Sequence, residues 1–278
     1  MRRIKKAVRN ALILSFYLSG LAALRRAMLT ARHGILNRVI CFHWIGAEGA
    51  AGFEAKLVWL KDHFDIRPLA ELLAIDPKAP TTRPIAAITF DDGYADLVDV
   101  VLPILRRHQL PIALFFPADA LSLDPAVRLS FGRTNIGIDK PILSREQLQE
   151  LLDSGLVDIQ SHTRSHCDCG RADPKTLRRE LGEGREMLQE ATGRCVRLFA
   201  YPYGSFPNTS QSAREALLNC EYDAAWTIIP GFNHCDSDQF MLHRDSLAPD
   251  MNMLLFRAWL SGSYDVFKHI QNRQNHVR

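Results

Sequence analysis

Residues 85–93 of this chain of 278 residues read IAAITFDDG: six residues without charge, then two adjacent carboxylates and a glycine. A short, continuous, mostly apolar run bounded by turn residues is typical of a strand buried on both faces. Comparable runs occur at residues 38–43, 111–116, 156–159, 196–200 and 224–228, and stretches with helical spacing separate most of them. This alternation predicts an α/β fold with a parallel sheet, open or closed into a barrel.

The overall composition is that of a globular protein. Hydrophobic residues make up 47% of the chain and charged residues 23%, values that exclude collagen, a coiled coil, general disorder and a polytopic membrane protein. The net charge of +3 is too small to indicate a nucleic-acid-binding protein. No internal repeat is present, and no linker divides the body of the chain into two domains. Six cysteines in a chain of this length predict free thiols and not a disulfide framework.

The charge is distributed unevenly. The first 47 residues hold nine of the 34 basic residues and none of the 31 acidic ones, so the rest of the chain is mildly acidic and is not expected to bind nucleic acid. Within this basic part, the 14 residues from Ala11 to Leu24 carry no charge, which is shorter than the roughly 20 residues that span a bilayer. We therefore divide the chain into a basic and apolar N-terminal segment, residues 1–37, and a body, residues 38–278.

Four interpretations of the N-terminal segment stay open. Basic flanks around a short apolar helix suit a helix that lies on an anionic membrane surface. The same order of residues occurs in an uncleaved anchor and in a cleaved signal peptide, for which Gly20-Leu21-Ala22 is a suitable site. An ordinary helix packed on the body is the fourth. Because Arg25 and Arg26 follow at once, and positive charge stays on the cytoplasmic side, we expect a cytoplasmic or cytoplasmic-membrane-associated protein, with an exported form left open.

Polar residues accumulate where the predicted strands end, which is where active sites form in parallel α/β sheets. Asp91 and Asp92 are adjacent and cannot point the same way, so one can hold a metal while the other faces substrate or water. His162 and His166 follow a later strand, and a helical turn between them would place both imidazoles at chelating distance. Two histidines and one aspartate leave open positions on a metal, which lowers the pKa of bound water to about 7 and polarises a carbonyl group. The turn at residues 201–204 (YPYG) can present backbone N–H groups to an oxyanion.

Three stretches, TFDDG at 89–93, SHTRSH at 161–166 and FAYPYG at 199–204, resemble in order and spacing the polysaccharide deacetylases, the carbohydrate esterase family 4 or NodB-homology group. The resemblance extends from about Arg38 to Leu260. It implies a distorted (β/α) barrel of the NodB-homology type, a single domain here preceded by a basic N-terminal helix, with a divalent metal, usually zinc. The resemblance assigns Asp92, His162 and His166 to the metal, Asp91 to the catalytic base, and the backbone N–H of Tyr203 to stabilisation of the oxyanion.

The chain departs from the family pattern near the turn at 201–204. Many members carry an arginine two residues before its proline, where the arginine orients the catalytic aspartate, whereas this chain has Ala200. A similar alanine occurs in the subgroup that resembles biofilm poly-N-acetylglucosamine deacetylases, in which a histidine on the first strand supplies the general acid. His43 occupies that place and is our candidate, because it ends a buried strand on the face of the sheet where we expect the active site. His243 is the alternative, since other members have their acid histidine near there.

Two further departures surround the histidine motif. Cys167 and Cys169 stand where members commonly have proline and an apolar residue, and we expect both thiols to point away from the metal. Gln160 replaces a glycine before Ser161-His162.

The resemblance implies a metal-dependent hydrolase that removes N-acetyl groups from an N-acetylhexosamine-containing polysaccharide, oligosaccharide or lipid-linked glycan, in exopolysaccharide or cell-envelope metabolism. The alternatives are an O-acetyl esterase, a C–N hydrolase acting on a small amide, and a non-catalytic glycan-binding pseudoenzyme, which the missing arginine motivates. The expected partners are an acetylated glycan and, through the basic segment, the membrane surface, with no nucleic acid. Residues 121–140 are predicted to be an irregular insertion that shapes substrate choice.

Overall fold

The structure is a computed structural model that describes residues 2–79, 81–121 and 124–266, with side chains described from Ala7 onward. Its centre is one curved sheet in which all the strand pairs are parallel. The strand order is β7-β6-β5-β4-β3-β1-β8, with β2 beside β3. The strands are β1 Asn37–Phe42, β2 Asp65–Ile66, β3 Ile85–Asp91, β4 Ile112–Phe116, β5 Val157–Ser161, β6 Leu198–Ala200, β7 Ala224–Trp226 and β8 Asp245–Ser246.

Helices connect successive strands and cover the outside of the sheet. They are α1 Arg2–Leu18, α2 Leu21–His33, α3 Gly46–His63, α4 Leu102–His108, α5 Pro125–Phe131, α6 Arg145–Asp153, α7 Pro174–Arg178, α8 Gly184–Thr192, α9 Gln211–Asn219 and α10 Met253–Ala258. Wider helical turns at Leu97–Val101 and Arg179–Glu183 extend α4 and join α7 to α8, and similar turns follow α5 and α10. A capping box formed by Ser144 and Gln147 begins α6.

The segment after β7 closes the curved sheet into a barrel. Leu242 bridges to Trp226 of β7, and three residues later Asp245 of β8 pairs with Ile40 of β1. The two edges of the sheet are thus joined through one short stretch of chain. Arg244 lies inside this closing stretch, between Leu242, which bridges to the edge at β7, and Asp245, which pairs with the edge at β1.

Alternate side chains of each strand point to the two sides of the sheet. On β3, Ile88 and Phe90 face the helices and belong to the main hydrophobic core, whereas Ala87 belongs to a smaller apolar cluster inside the barrel. The same alternation places Thr89 and Asp91 on the inner face, at the carboxyl end of β3. The register of the central strand therefore determines that the first carboxylate of the DDG motif points into the barrel.

The N-terminal segment forms two helices instead of the single predicted one. The chain breaks at Gly20, whose φ of 79° is left-handed, and α1 and α2 meet at an angle of 66°. Ile13 and Ala22 are buried, and α1 packs against α10. Within the part of the chain that the structure describes, no single helix satisfies the length and hydropathy of a membrane span; the bent pair α1–α2 satisfies them only when taken together.

The prediction of an irregular insertion at 121–140 was wrong for its central part. Asp124 accepts hydrogen bonds from the backbone N–H groups of Ala126 and Val127, and Pro125 occupies the first turn, so α5 begins with a strong N-terminal cap. A wider helical turn, Gly132–Ile136, continues it. This insertion brings Asn135 to the edge of the barrel.

Candidate active site

Asp92, His162 and His166 converge at the carboxyl ends of β3 and β5, and all three are buried. The Nε2 atoms of His162 and His166 lie 3.6 and 3.4 Å from Oδ1 of Asp92. Their Nδ1 atoms lie 2.7 Å from the carbonyl oxygen of Ala200 and 3.1 Å from that of Asn135. A carbonyl oxygen only accepts hydrogen bonds, so each Nδ1 carries the proton and each Nε2 presents a lone pair to Asp92.

This arrangement fits a divalent cation. Oδ1 of Asp92 is buried and has no hydrogen-bond partner among the residues that the structure describes, which costs about 1–3 kcal/mol or more for a charged group. Its ligand atom and those of the two histidines all lie within 4.8 Å of one another, and carboxylate and imidazole together are a zinc-type donor set. Of the residues that the structure describes, neither Cys167 nor Cys169 belongs to this cluster.

The charge states of the three groups agree with that interpretation. Burial lowers the pKa of His162 to about 4, so the imidazole is neutral near neutral pH. For Asp92 burial would raise the pKa, but the electrostatic interactions with His166, His43 and His162 outweigh burial and hold the pKa below its usual value. The site therefore combines an ionised carboxylate with a neutral imidazole, which are the forms that bind metal.

Strained backbone is concentrated in these motifs. Of the six non-glycine residues with positive φ in the described ranges, four belong to the motifs: Asp92 (70°), Thr163 (63°), His166 (61°) and Tyr203 (61°). Such conformations cost of the order of 1 kcal/mol or more each and cluster at functional sites. They also correct one prediction, because a left-handed turn, and not a helical turn, brings the imidazoles of the histidine pair together.

Gly93 completes the turn after the two carboxylates. Its φ is 74°, and a Cβ atom there would lie 2.2 Å from the ring of Phe116. Only glycine fits this position. The turn lets Asp91 and Asp92 point in different directions, as the sequence predicts.

Asp91 forms a buried ion pair with Arg244. Nη1 and Nη2 of Arg244 donate to Oδ1 and Oδ2 of Asp91 at 2.6 and 2.7 Å. Burial would raise the pKa of Asp91, but the charges of Arg244, His162 and His43 outweigh burial and hold it below its usual value. Asp91 is thus a carboxylate fixed in orientation at both oxygens.

Arg244 is itself held by the inner face of the barrel. Its Nε donates to the carbonyl oxygen of Thr227 at 3.1 Å, and its guanidinium lies 5.2 Å from the centre of the Phe115 ring. Sequence reasoning missed this residue. The guanidinium reaches Asp91 from the closing stretch of the barrel, and so supplies the positive charge that Ala200 does not.

The two candidate acid histidines have different surroundings. Nε2 of His43 lies 3.9 Å from Oδ2 of Asp91, and the side chain is 39% exposed at the mouth of the barrel. Nδ1 of His243 lies 3.2 Å from the carbonyl oxygen of Ile229, and its ring packs against Gly231. The structure therefore places His43 beside Asp91, and it places His243 beside the stretch that contains Ile229 and Gly231.

The turn at 201–204 lies beside the histidine pair. The ring of Tyr203 contacts that of His166 edge to face at 4.8 Å, and its hydroxyl donates to the carbonyl oxygen of Asn135 at 3.3 Å. The backbone N–H of Tyr203 has no hydrogen-bond partner among residues 2–79, 81–121 and 124–266. Two neighbours were not predicted: Asn135, and Tyr94, whose hydroxyl donates to Oδ2 of Asp92 at 3.1 Å.

Known proteins share the sequence and the fold. The family model for polysaccharide deacetylases matches residues 78–224. YxkH of Bacillus subtilis (strain 168), whose name assigns it to the polysaccharide deacetylases, is 26% identical over 211 residues, 75% of this chain and 68% of that protein. The poly-beta-1,6-N-acetyl-D-glucosamine N-deacetylase of Staphylococcus epidermidis is 24% identical over 216 residues, 74% of this chain and 70% of that protein.

Solved structures confirm the expected architecture. IcaB from Ammonifex degensii superposes with a TM-score of 0.65 at 19% identity, covering 84% of this chain and 98% of that one. The Streptococcus pyogenes deacetylase PplD, in complex with acetate, superposes with a TM-score of 0.64 at 19% identity. The match covers 81% of this chain and 99% of that one. These likenesses establish the distorted (β/α) barrel. Because the family model also matches more than half of the sequence, the chain belongs to the polysaccharide deacetylase family of hydrolases.

Proposed function

We propose that this protein is a metal-dependent N-deacetylase that acts on an N-acetylhexosamine-containing polysaccharide, oligosaccharide or lipid-linked glycan in exopolysaccharide or cell-envelope metabolism. The observation that carries the proposal is the division of labour between two adjacent carboxylates. Asp92 faces the two imidazoles at 3.4 and 3.6 Å, and Asp91 faces Arg244 and His43. The name of the Staphylococcus epidermidis relative, a deacetylase of an N-acetylglucosamine polymer, supports the substrate class.

In this proposal, Asp92, His162 and His166 hold the divalent cation, for which zinc suits the donors. When bound, such a cation polarises the acetyl carbonyl and acidifies water. Asp91 is the general base that accepts the proton of the attacking water, and Arg244 keeps this carboxylate ionised and aimed. The backbone N–H of Tyr203 donates to the oxyanion that forms as water adds to the carbonyl carbon.

Cleavage of the amide also needs an acid, because an amine leaves poorly without a proton. We assign that proton to His43. Its partial exposure and its distance of 3.9 Å from Asp91 place it on the solvent side of the base, where a bulky glycan enters. Transfer of the proton to the nitrogen breaks the C–N bond and yields acetate and the free amine.

Arg244 weakens the case for a non-catalytic glycan-binding protein. That alternative rested on the absence of an arginine at position 200, and the structure supplies a guanidinium to Asp91 from elsewhere. An O-acetyl esterase passes through the same oxyanion and stays the nearer alternative. It differs in the leaving group, because a sugar hydroxyl is expelled in place of an amine.

We also propose that the N-terminal helices contact an anionic membrane surface, on the cytoplasmic side. Half of the twelve large hydrophobic side chains exposed in the described residues lie on α1 and α2: Val8, Leu12, Leu18, Leu21, Leu24 and Met28. The last three recur at helical spacing on one face of α2. A short amphipathic segment with exposed apolar residues and basic flanks suits an anionic lipid surface.

The substrate proposal is tested by measuring acetate release from N-acetylglucosamine oligomers and from an O-acetylated glycan, with the full chain, with and without chelator. We expect chelator-sensitive release from the N-acetylated oligomers at the higher kcat/KM. A preference for the O-acetylated glycan would replace the N-deacetylase with the esterase. Release that persists in chelator would contradict metal dependence.

A further inference from the structure

A second group of metal-type ligands lies outside the catalytic site. Nδ1 of His33, the last residue of α2, lies 2.8 Å from Oδ2 of Asp236. The imidazole of His234 stacks on that of His33 with ring centres 3.9 Å apart, and its Nδ1 lies 3.8 Å from the same carboxylate oxygen. One ligand atom from each of the three residues lies within 4.8 Å of the other two.

This group is at the opposite end of the barrel from Asp91. The backbones of Asn233 and Asn37 are hydrogen-bonded to each other at 2.9 and 3.0 Å, so His234 lies beside the first residue of β1. His43 follows the last residue of the same strand. A strand of six residues is about 20 Å long, and the two groups cannot share a ligand.

The hydrogen bonding leaves His234 outside a simple ion pair between His33 and Asp236. The backbone N–H of Asp236 donates to Nδ1 of His234 at 3.3 Å, so Nδ1 is the unprotonated nitrogen of this imidazole and bears the lone pair that a metal would take. A bound cation would take this lone pair in place of the long hydrogen bond from the N–H and would neutralise the nearby carboxylate of Asp236. An ion pair with Asp236 would need only one imidazole, and here a second is stacked against the first.

We propose that His33, His234 and Asp236 form a second, structural site for a divalent transition metal, with zinc the ion that best suits two imidazoles and one carboxylate. Asp236 is 66% exposed, so the metal enters from solvent and water completes its coordination. The site joins α2 to a loop about 200 positions later in the sequence. Bound metal would therefore link the N-terminal helices to the body of the protein. This assignment does not rest on the proposed deacetylase activity.

The proposal is tested by measuring how many zinc ions each protein binds. The full chain is equilibrated with submicromolar buffered zinc, and bound zinc is measured by mass spectrometry for the wild type, His234→Ala, Asp236→Asn and Asp92→Asn. We expect two equivalents in the wild type and one in each variant. His108→Ala is the matched control, because His108 pairs with Glu54 at the same 2.8 Å without a second imidazole, and it should keep two.

A thermal readout separates the two sites. In the Asp92→Asn protein, zinc should raise the Tm and slow hydrogen exchange of residues 30–37, because metal that binds only the folded state stabilises it. Both effects should disappear in Asp92→Asn with His234→Ala. Equal zinc content in wild type and His234→Ala, or a Tm shift that survives His234→Ala, would overturn the proposal. Two equivalents in Asp92→Asn would instead contradict the catalytic ligand assignment.

Discussion

Arg244 donates two parallel hydrogen bonds to Asp91, at 2.6 and 2.7 Å, and both side chains are buried inside the barrel. The partners lie 153 positions apart in the sequence. Arg244 occurs where the chain crosses from the edge at β7 to the edge at β1. The residue that orients the proposed base is therefore positioned by closure of the barrel, and not by the motif that contains Ala200.

Replacing Arg244 by lysine should disable the base without removing its counter-charge. Lysine keeps the positive charge but cannot make two parallel bonds to a carboxylate. We expect kcat to fall about 100-fold, the loss typical of a misplaced catalytic group, with KM nearly unchanged. The acidic limb of the pH–rate profile should move to higher pH, because the pKa of Asp91 should rise toward its ordinary value.

Arg197→Lys is the control for that substitution. Arg197 makes a similar two-bond pair with Asp223, at 2.6 Å for each bond, on the surface away from the site. Its pH–rate profile and kcat should match the wild type. A kcat for Arg244→Lys indistinguishable from that of Arg197→Lys would show that orientation of Asp91 by Arg244 is unimportant.

His43→Ala should lower amide hydrolysis about 10²- to 10⁴-fold, the contribution typical of a general acid. An activated acetyl ester expels its leaving group without a proton, so its hydrolysis should fall far less. His243→Ala is the matched comparison and should affect neither substrate strongly. The opposite order, with His243→Ala the more damaging on the amide alone, would transfer the acid role to His243.

The metal-free protein should lose stability as the pH falls. Folded His162 takes up a proton only near pH 4, whereas the unfolded chain does so near 6.5. Between these values the unfolded state binds more protons, so the free energy of unfolding decreases as pH drops, by of the order of 3 kcal/mol in total. Denaturant unfolding of the protein in the presence of chelator, from pH 7 to pH 4, measures this decrease in the free energy of unfolding. The His162→Gln variant should lack the part of the decrease that His162 contributes. An identical pH slope in wild type and variant would refute the assignment.

Leu24→Glu with Met28→Glu should release the protein from anionic vesicles. These side chains are 58% and 66% exposed, so the fold should tolerate the change while apolar membrane contact is lost. We expect binding to phosphatidylglycerol-containing vesicles to weaken at least about tenfold in sedimentation. Leu218→Glu and Leu254→Glu, exposed to 52% and 47% on the body, are the controls. Equal sedimentation of all the variants would exclude α2 from the contact.

The strand pattern and the DDG carboxylates could be predicted because the signal is local. Apolar runs mark β1 and β3 to β7, and the alternation along β3 places Asp91 on the inner face. The histidine pair was predicted with the wrong geometry, because the left-handed φ of Thr163 and His166 has no signature in those residue types. Left-handed conformations are uncommon for threonine and histidine, so spacing alone favours a helical turn.

Long-range contacts account for most of what sequence reasoning missed. Nothing around position 244 indicates that its arginine reaches Asp91 across the barrel. Gln160, unexplained from the sequence, accepts hydrogen bonds from the backbone N–H groups of Arg197 and Leu198 at 3.0 and 2.8 Å, which ties β5 to β6 where the strand pairing is short. The helix at Pro125 was missed although Asp124-Pro125 is a recognisable N-terminal cap.

The most direct test of the central claim compares Asp91→Asn with Asp92→Asn in two measurements on the same preparations, catalytic-site metal content and acetate release from N-acetylglucosamine oligomers. If Asp92 binds the metal and Asp91 is the base, Asp91→Asn should retain the metal and lose acetate release, whereas Asp92→Asn should lose both. Acetate release by Asp91→Asn near the wild-type rate, or the same metal content in Asp92→Asn as in the wild type, would contradict the assignment of separate roles to the two carboxylates.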